Sequence, residues 1–455
     1  MDFRDKRVLV VGLARSGLAA AKTLIGLGAK VIANDIKSEG ELKDVVEELN
    51  PMGVEWAVGI SPMDYLDRVD LIVLSPGIPI DAPFVRRAQD MGIDVMGEVE
   101  MAYLLCRAPI AAITGTNGKT TTTALVGEIF KATGKKTYVV GNIGIPFIGV
   151  ATETCESHIV VAEISSFQLE SIQAFHPRVS AILNITEDHL NRHKTMENYI
   201  GLKARVFENA TESDWLILNA DDPLSTRFAK MTKAQTLCFS RTKTLNKGAW
   251  LEGNTIVLDI GEGREKVCKV EDIFIPGLHN LENAMAAVLI CRVMGVGTQT
   301  MAEVLRTFPG VEHRIELVQT IGGVTFFNDS KGTNIDSTIK AIESMKSPTV
   351  LIAGGYDKGS SFDGLIEAFG DIISHLVVLG QTSEKIMKSA KDKGFQNVYR
   401  VNTLEEGVKK AYSLAQPGEN VLLSPACASW DMFKDFEERG RIFKESVRVL
   451  EEENR

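Results

Sequence analysis

Short apolar runs recur along the chain, and many break into a glycine-bearing loop that gives way to a helical pattern. Residues 6–11 read as a strand that opens into GLARSG (12–17) and then an alanine-rich helix to residue 27. Residues 31–34 form a second strand with Asp35 at its end, and 70–74 form another that ends in SPGIP (75–79). The pattern repeats at 109–113, where the strand breaks into GTNGKT (115–120) before an amphipathic helix. Strands at 136–140, 158–162, 179–185 and 215–218 follow, and a helix spans 198–210. Residues 234–275 alternate short strands with glycine turns, and an alanine-rich helix covers 284–294. Beyond a plausible hinge at PGVEHR (309–314), strands at 324–328, 349–353, 376–379, 398–401 and 421–424 alternate with helices. The closing helix, 433–453, reads as structural.

Alternation of strand and helix implies mostly parallel sheets, so the fold class is α/β. Three domains are expected: a Rossmann-like domain over 1–97, a central P-loop mononucleotide-binding domain over 98–310, and a Rossmann-like domain over 311–455. A length of 455 residues suits three domains of ordinary size. With a net charge of −10, a broad nucleic-acid surface is not expected, and positive charge for anionic ligands has to be concentrated in pockets. No apolar run approaches the roughly 20 residues that span a bilayer. Six cysteines are scattered without a C-x-x-C pair, which suits a reducing cytoplasm.

The central loop carries the clearest chemistry. Strand, glycine-rich turn and helix N-terminus present backbone N–H groups to phosphate. Gly115 and Gly118 allow close approach of the anion, Lys119 can reach the outer phosphates, and the Thr120 hydroxyl can ligate Mg²⁺. It is not a full Walker A, because Ile113 stands where the first glycine belongs. Glu163 ends a neighbouring strand, where a Mg²⁺-binding carboxylate is expected. Glu187, Asp188 and His189 extend that edge. Other positions stay open on the residues alone. GLARSG is an imperfect dinucleotide fingerprint whose glycines serve either tight packing or a nucleotide diphosphate. SPGIP and GNIGIP (141–146) are each a ligand loop or a plain turn. Asn280 and Asn283, one turn apart, are caps or ligand contacts. Lys203 reads as a surface lysine. In the last domain, DSKGTN (329–334), GGYDKG (354–359) and SPACASWD (424–431) leave strand C-termini, and Lys331, Lys358 and Ser429 suit an anionic ligand. The residues alone give an ATP-dependent enzyme acting on an anionic substrate, without separating a ligase from a kinase or motor.

In order and spacing, GTNGKTT, NIG, EISSFQLE, NITEDHL, GLKARVFENA, PGLHNLENA, HR, NDSKGTN and SPACASWDMFKDFEERG resemble the Mur ligases over essentially the whole chain. GLARSG, SPGIP and the SPACASWD segment resemble the branch that adds D-glutamate to UDP-N-acetylmuramoyl-L-alanine. The resemblance implies an ADP-forming, ATP-dependent acid–amino-acid ligase of cytoplasmic peptidoglycan precursor synthesis, working through an acyl phosphate. ATP contacts are implied at Gly115, Thr116, Asn117, Gly118, Lys119, Thr120, Thr121, Asn280, Asn283, Arg314 and Asp329. UDP-substrate contacts are implied at Asp35, Ser75, Asn142, Ser165 and His189. Thr333, Lys358, Ser429 and Phe436 match groups around D-glutamate, and Lys119, His189, Lys203 and Lys331 match catalytic positions. A pair of Mg²⁺ ions is implied at Thr120, Glu163, His189 and a Lys203 carbamylated by CO₂. A monomer without membrane insertion is expected, closing around ATP. Ile36 and Tyr356-Asp357 depart from the pattern, at the uracil and glutamate contacts respectively. Another Mur ligase, a folylpolyglutamate synthase, an NAD-dependent dehydrogenase and a non-catalytic nucleotide-binding regulator are the alternatives.

Overall fold

A computed structural model describes residues 2–357 and 359–453. Their contacts define two compact units, residues 1–272 with 282–306 and residues 273–281 with 307–455.

The first unit holds two sheets. One has five parallel strands in the order Glu55–Val58, Lys30–Asp35, Arg7–Val11, Leu71–Leu74, Asp94–Gly97. Its central strands, Arg7–Val11 and Leu71–Leu74, are apolar and buried except at Arg7, as in a parallel sheet covered on both faces. The order reverses direction beside Arg7–Val11, and the loops after Val11 and Leu74 meet at that switch point. The other sheet has nine strands. Its parallel part runs from Gln235–Ser240 through Trp215–Asn219, Val179–Ile182, Ile110–Thr114 and Ile159–Glu163 to Thr137–Gly141. Gly248–Glu252, Thr255–Asp259 and Glu265–Lys269 extend it as an antiparallel meander, the β-rich stretch read from the sequence.

The second unit holds a six-stranded sheet, in the order Glu316–Ile321, Val324–Asn328, Asn420–Leu423, Thr349–Ala353, Ile373–Val378, Val398–Arg400. Only the first pair is antiparallel. Helix Phe436–Glu453 packs Phe443, Val447 and Leu450 into its core.

Several boundaries differ from the sequence reading, among them the alanine-rich helix expected over 284–294, which is Leu278–Val293. The strand expected to reach 185 stops at Ile182, and Asn184 turns its side chain to the neighbouring loop. The helix expected over 198–210 is Met196–Ala204, started by the Thr195 hydroxyl accepting from Asn198 N–H and followed by a 3₁₀ turn, Arg205–Phe207. The last helix begins at Phe436, not 433.

Candidate active site

Strand Ile110–Thr114 delivers the chain into the central loop, and helix Lys119–Ala132 leaves it. Gly118 caps that helix at φ +81°, and a Cβ there would lie 2.3 Å from Asn283 Oδ1. Glycine is therefore required both for the backbone and for the approach of Asn283. Lys119 Nζ donates to the carbonyls of Gly115 (2.9 Å) and Thr116 (2.6 Å). Thr116, Asn117, Thr120 and Thr121 are buried.

The loop is braced by the segment after Val179–Ile182. Thr116 N–H donates to Asn184 O, Asn117 N–H to Asn184 Oδ1, and Asn184 Nδ2 to Asn117 O. The Thr116 hydroxyl donates to Thr186 O and accepts from Thr186 N–H. Asn184 was not among the residues singled out from the sequence. Its only signal there was its place in NITEDHL.

Lys203 is not the surface lysine its residue type suggested. It is 1% exposed, with Nζ 3.4 Å from Thr114 Oγ1 and 4.8 Å from the centre of the Tyr199 ring. Burial holds its ammonium pKa well below the ordinary value. Lys119 reinforces this shift, and Asp188 and Glu163 oppose it. Tyr199 and Lys203 stand one turn apart on the same helical stripe, and that i, i+4 spacing was the available signal. Tyr199 in turn meets Thr116 Oγ1 at 3.2 Å.

Glu163, at the tip of Ile159–Glu163, is buried. Oε1 accepts from Asn142 Nδ2 at 2.7 Å, and Oε2 has no hydrogen-bond partner among the described residues. Gly141 makes this approach possible: it sits at φ +102°, and a Cβ would fall 2.3 Å from Glu163 O. His189 occupies a left-handed conformation (φ +54°), costly for a non-glycine residue, with Nε2 3.5 Å from Asp188 Oδ2 and its ring against Phe167. Ser165 starts the turn Ser166–Leu169, its N–H and hydroxyl both bonded to Gln168 Oε1.

At the five-stranded sheet, Asp35 Oδ2 accepts from Leu13 N–H at 2.7 Å, tying strand Lys30–Asp35 to the GLARSG loop. Ser75 is buried beside Gly12, where a Cβ would lie 2.9 Å from the serine Cβ. A Cβ on Gly17 would lie 1.8 Å from Gly12 O, so this glycine serves tight packing.

In the second unit, Asp329 is fully buried, accepting from Ser424 Oγ (2.7 Å) and Ile315 N–H (3.2 Å). Burial pushes its pKa up to about 6, against the attraction of Arg314. His313 and Ile315 flank Arg314 at positive φ. Asn280 Nδ2 donates to Pro276 O at the start of helix Leu278–Val293. Lys331 Nζ stands 5.1 Å from the centre of the Phe436 ring, Thr333 N–H donates to Lys331 O, and Ser429 is buried. Lys358 lies outside the described residues. The sequence reading passed over Arg439 inside a helix taken as structural. It is buried, and its guanidinium donates to Ser330 O, Ser330 Oγ and Cys427 O, joining two of the loops.

Comparison with known proteins places these loops in a family. A MurD-like N-terminal domain of Mur ligases matches residues 6–97, the Mur ligase middle domain 113–291, and the Mur ligase glutamate ligase domain 313–427. The chain is 51% identical over 452 residues to the UDP-N-acetylmuramoylalanine–D-glutamate ligase of a Thermoanaerobacter species, covering 99% of this chain and 100% of that one. The chain belongs to the Mur ligase family. The protein of the same name from Clostridioides difficile is 50% identical over 452 residues, with the same coverage. Among solved structures, the UDP-N-acetylmuramate–alanine ligase of Thermotoga maritima superposes with a TM-score of 0.63 at 20% identity, over 98% of this chain and 99% of that one. A pseudomurein peptide ligase type C from Methanothermus fervidus gives 0.61 at 18%, over 98% and 100%. At such identities these two show the three-domain α/β fold alone. The match at 6–97 to a Mur ligase N-terminal domain accounts for GLARSG without a dehydrogenase and leaves the folylpolyglutamate synthase reading unsupported.

Proposed function

We propose that this chain joins D-glutamate to UDP-N-acetylmuramoyl-L-alanine at the expense of ATP, in cytoplasmic peptidoglycan precursor synthesis. The observation that carries the reading is the match of the whole chain, at 51% and 50% identity, to relatives of that name. The geometry supports the chemistry. A carboxylate is a poor acyl donor, so the alanyl carboxylate oxygen attacks the γ-phosphorus of ATP, the bond to ADP breaks, and an acyl phosphate forms. The amino group of D-glutamate then attacks the acyl carbon, and phosphate leaves from the tetrahedral intermediate with its bonding electrons.

The loop 115–121 offers backbone N–H groups and Lys119 to the phosphates, and Asn184 keeps the loop in shape. Asn280, Asn283, Arg314 and Asp329 serve the rest of the nucleotide. Asp35, Ser75, Asn142, Ser165 and His189 hold the UDP-substrate, while Lys331, Thr333, Lys358, Ser429 and Phe436 serve D-glutamate and the reacting carboxylate. The residues fit Mg²⁺: a buried Glu163 oxygen lacks a partner among the described residues, and Thr120 and His189 supply further oxygen and nitrogen donors. Bound there, the ions would neutralise charge on the phosphates. Lys203 fits a carbamate because burial lowers its ammonium pKa and so favours the free amine. The nitrogen lone pair of the free amine adds to the carbon of CO₂, the N–H proton passes to water, and the amine becomes a carbamate carboxylate. We read the working form as a monomer.

Lys119→Ala tests the nucleotide loop. Product formation should fall to background while the circular dichroism spectrum and melting temperature hold, and normal turnover would refute the assignment.

A further inference from the structure

Glu98 has no part in the chemistry above, yet it is among the most buried carboxyl groups in the chain, at 1% exposed. It opens helix Glu98–Leu105, directly after Asp94–Gly97, the last strand of the five-stranded sheet. The side chain reaches into the nine-stranded domain of the same compact unit. Oε1 accepts from Ile148 N–H at 2.8 Å, Oε2 has no hydrogen-bond partner among the described residues, and Phe147 N–H and the Gln168 side chain face the carboxyl group. Ile148 and Phe147 close the loop that begins at Asn142. Gln168 is the residue whose Oε1 holds Ser165 N–H and hydroxyl. One carboxyl group therefore holds the first of two loops by a hydrogen bond and faces the side chain that supports the second, each loop carrying a UDP-substrate contact in the reading above.

The first domain reinforces the same spot. Arg15, from the GLARSG loop, donates to Gly144 O, and the Thr23 hydroxyl donates to Ile148 O at 3.3 Å. The neighbouring Glu100 differs in kind: it accepts from Gln173, Ala174 and Phe175 N–H, away from both loops.

We infer that Glu98 is a positioning residue for the UDP-substrate, fixing the Asn142 loop and the Ser165–Gln168 turn relative to the first sheet. It acts through its hydrogen bond to Ile148 N–H and its carboxyl group facing Gln168, and does not touch substrate. The inference rests on Asn142 and Ser165 being substrate contacts, as proposed above. Steady-state kinetics of Glu98→Ala, Glu98→Asp and Glu98→Gln test it, with Asn142→Ala and Ser165→Ala run in parallel. Shortening or removing the side chain should raise KM for UDP-N-acetylmuramoyl-L-alanine about tenfold, with kcat within about twofold and KM for ATP unchanged, the loss expected for ground-state positioning. Glu98→Gln keeps an acceptor for Ile148 N–H and should restore most of the affinity. If Glu98→Ala does not fold, Glu98→Asp carries the same readout. Unchanged KM in Glu98→Asp, or an equal rise for all three substrates, overturns the inference. If Asn142→Ala and Ser165→Ala leave that KM unchanged, the substrate-contact reading fails instead.

Discussion

At Lys203, loss of hydration outweighs the attraction of Asp188 and Glu163, and the ammonium pKa is held well below its ordinary value, which favours the nucleophilic amine. If that amine becomes a carboxylate in the working enzyme, Lys203→Ala should lose about 10³-fold in turnover, as for loss of a group in the electrostatic machinery. Added formate or acetate should restore part of it, whereas equal inactivity with and without the small acid would remove the carbamate. Glu98 gives a second residue-level expectation. Its pKa is raised from 4.5 to about 7 by burial, so the folded chain keeps a proton in that window that the unfolded chain has lost. Stability is therefore lost as pH rises through the window, by roughly 3 kcal/mol for a shift of this size. Glu98→Gln, which cannot ionise, should melt progressively higher than the parent chain between pH 5 and pH 8, and a constant difference would contradict the shift. Neither behaviour was legible in the sequence. A lysine and a glutamate are ordinarily solvated, and only the packing of Tyr199 over Lys203, or of the Phe147–Ile148 turn over Glu98, makes them otherwise.

At the scale of elements, the strand–loop–helix units were legible because apolar runs and glycines mark them locally, and the strand tips that carry Asp35, Ser75 and Glu163 follow directly. The bracing between loops was not, since it depends on which strands become neighbours. Ile110–Thr114 lies between Val179–Ile182 and Ile159–Glu163, and this order brings Asn184 against the loop 115–118 and Glu163 to its other side. Asn184→Ala removes two hydrogen bonds to Asn117 and should raise KM for ATP about tenfold while leaving KM for D-glutamate unchanged. Gly118→Ala places a methyl group 2.3 Å from Asn283 Oδ1 on a left-handed backbone and should abolish nucleotide binding, measured by calorimetry. Binding at parental affinity in that variant would show that the loop adjusts.

For the molecule as a whole, three sheets carry three kinds of loop, and no described helix is long and apolar enough to cross a membrane. All six cysteines are free, so stability owes nothing to a disulfide, and dithiothreitol should leave the melting temperature unchanged. The relatives match over 99% of the chain. The decisive measurement is phosphate release by the purified protein with Mg-ATP and UDP-N-acetylmuramoyl-L-alanine. D-glutamate, L-glutamate, L-alanine and no amino acid are compared, with the product weighed by mass spectrometry. Turnover is expected with D-glutamate alone, giving a product heavier by one glutamyl residue. Turnover with a different amino acid, or none with D-glutamate, would contradict the proposed function.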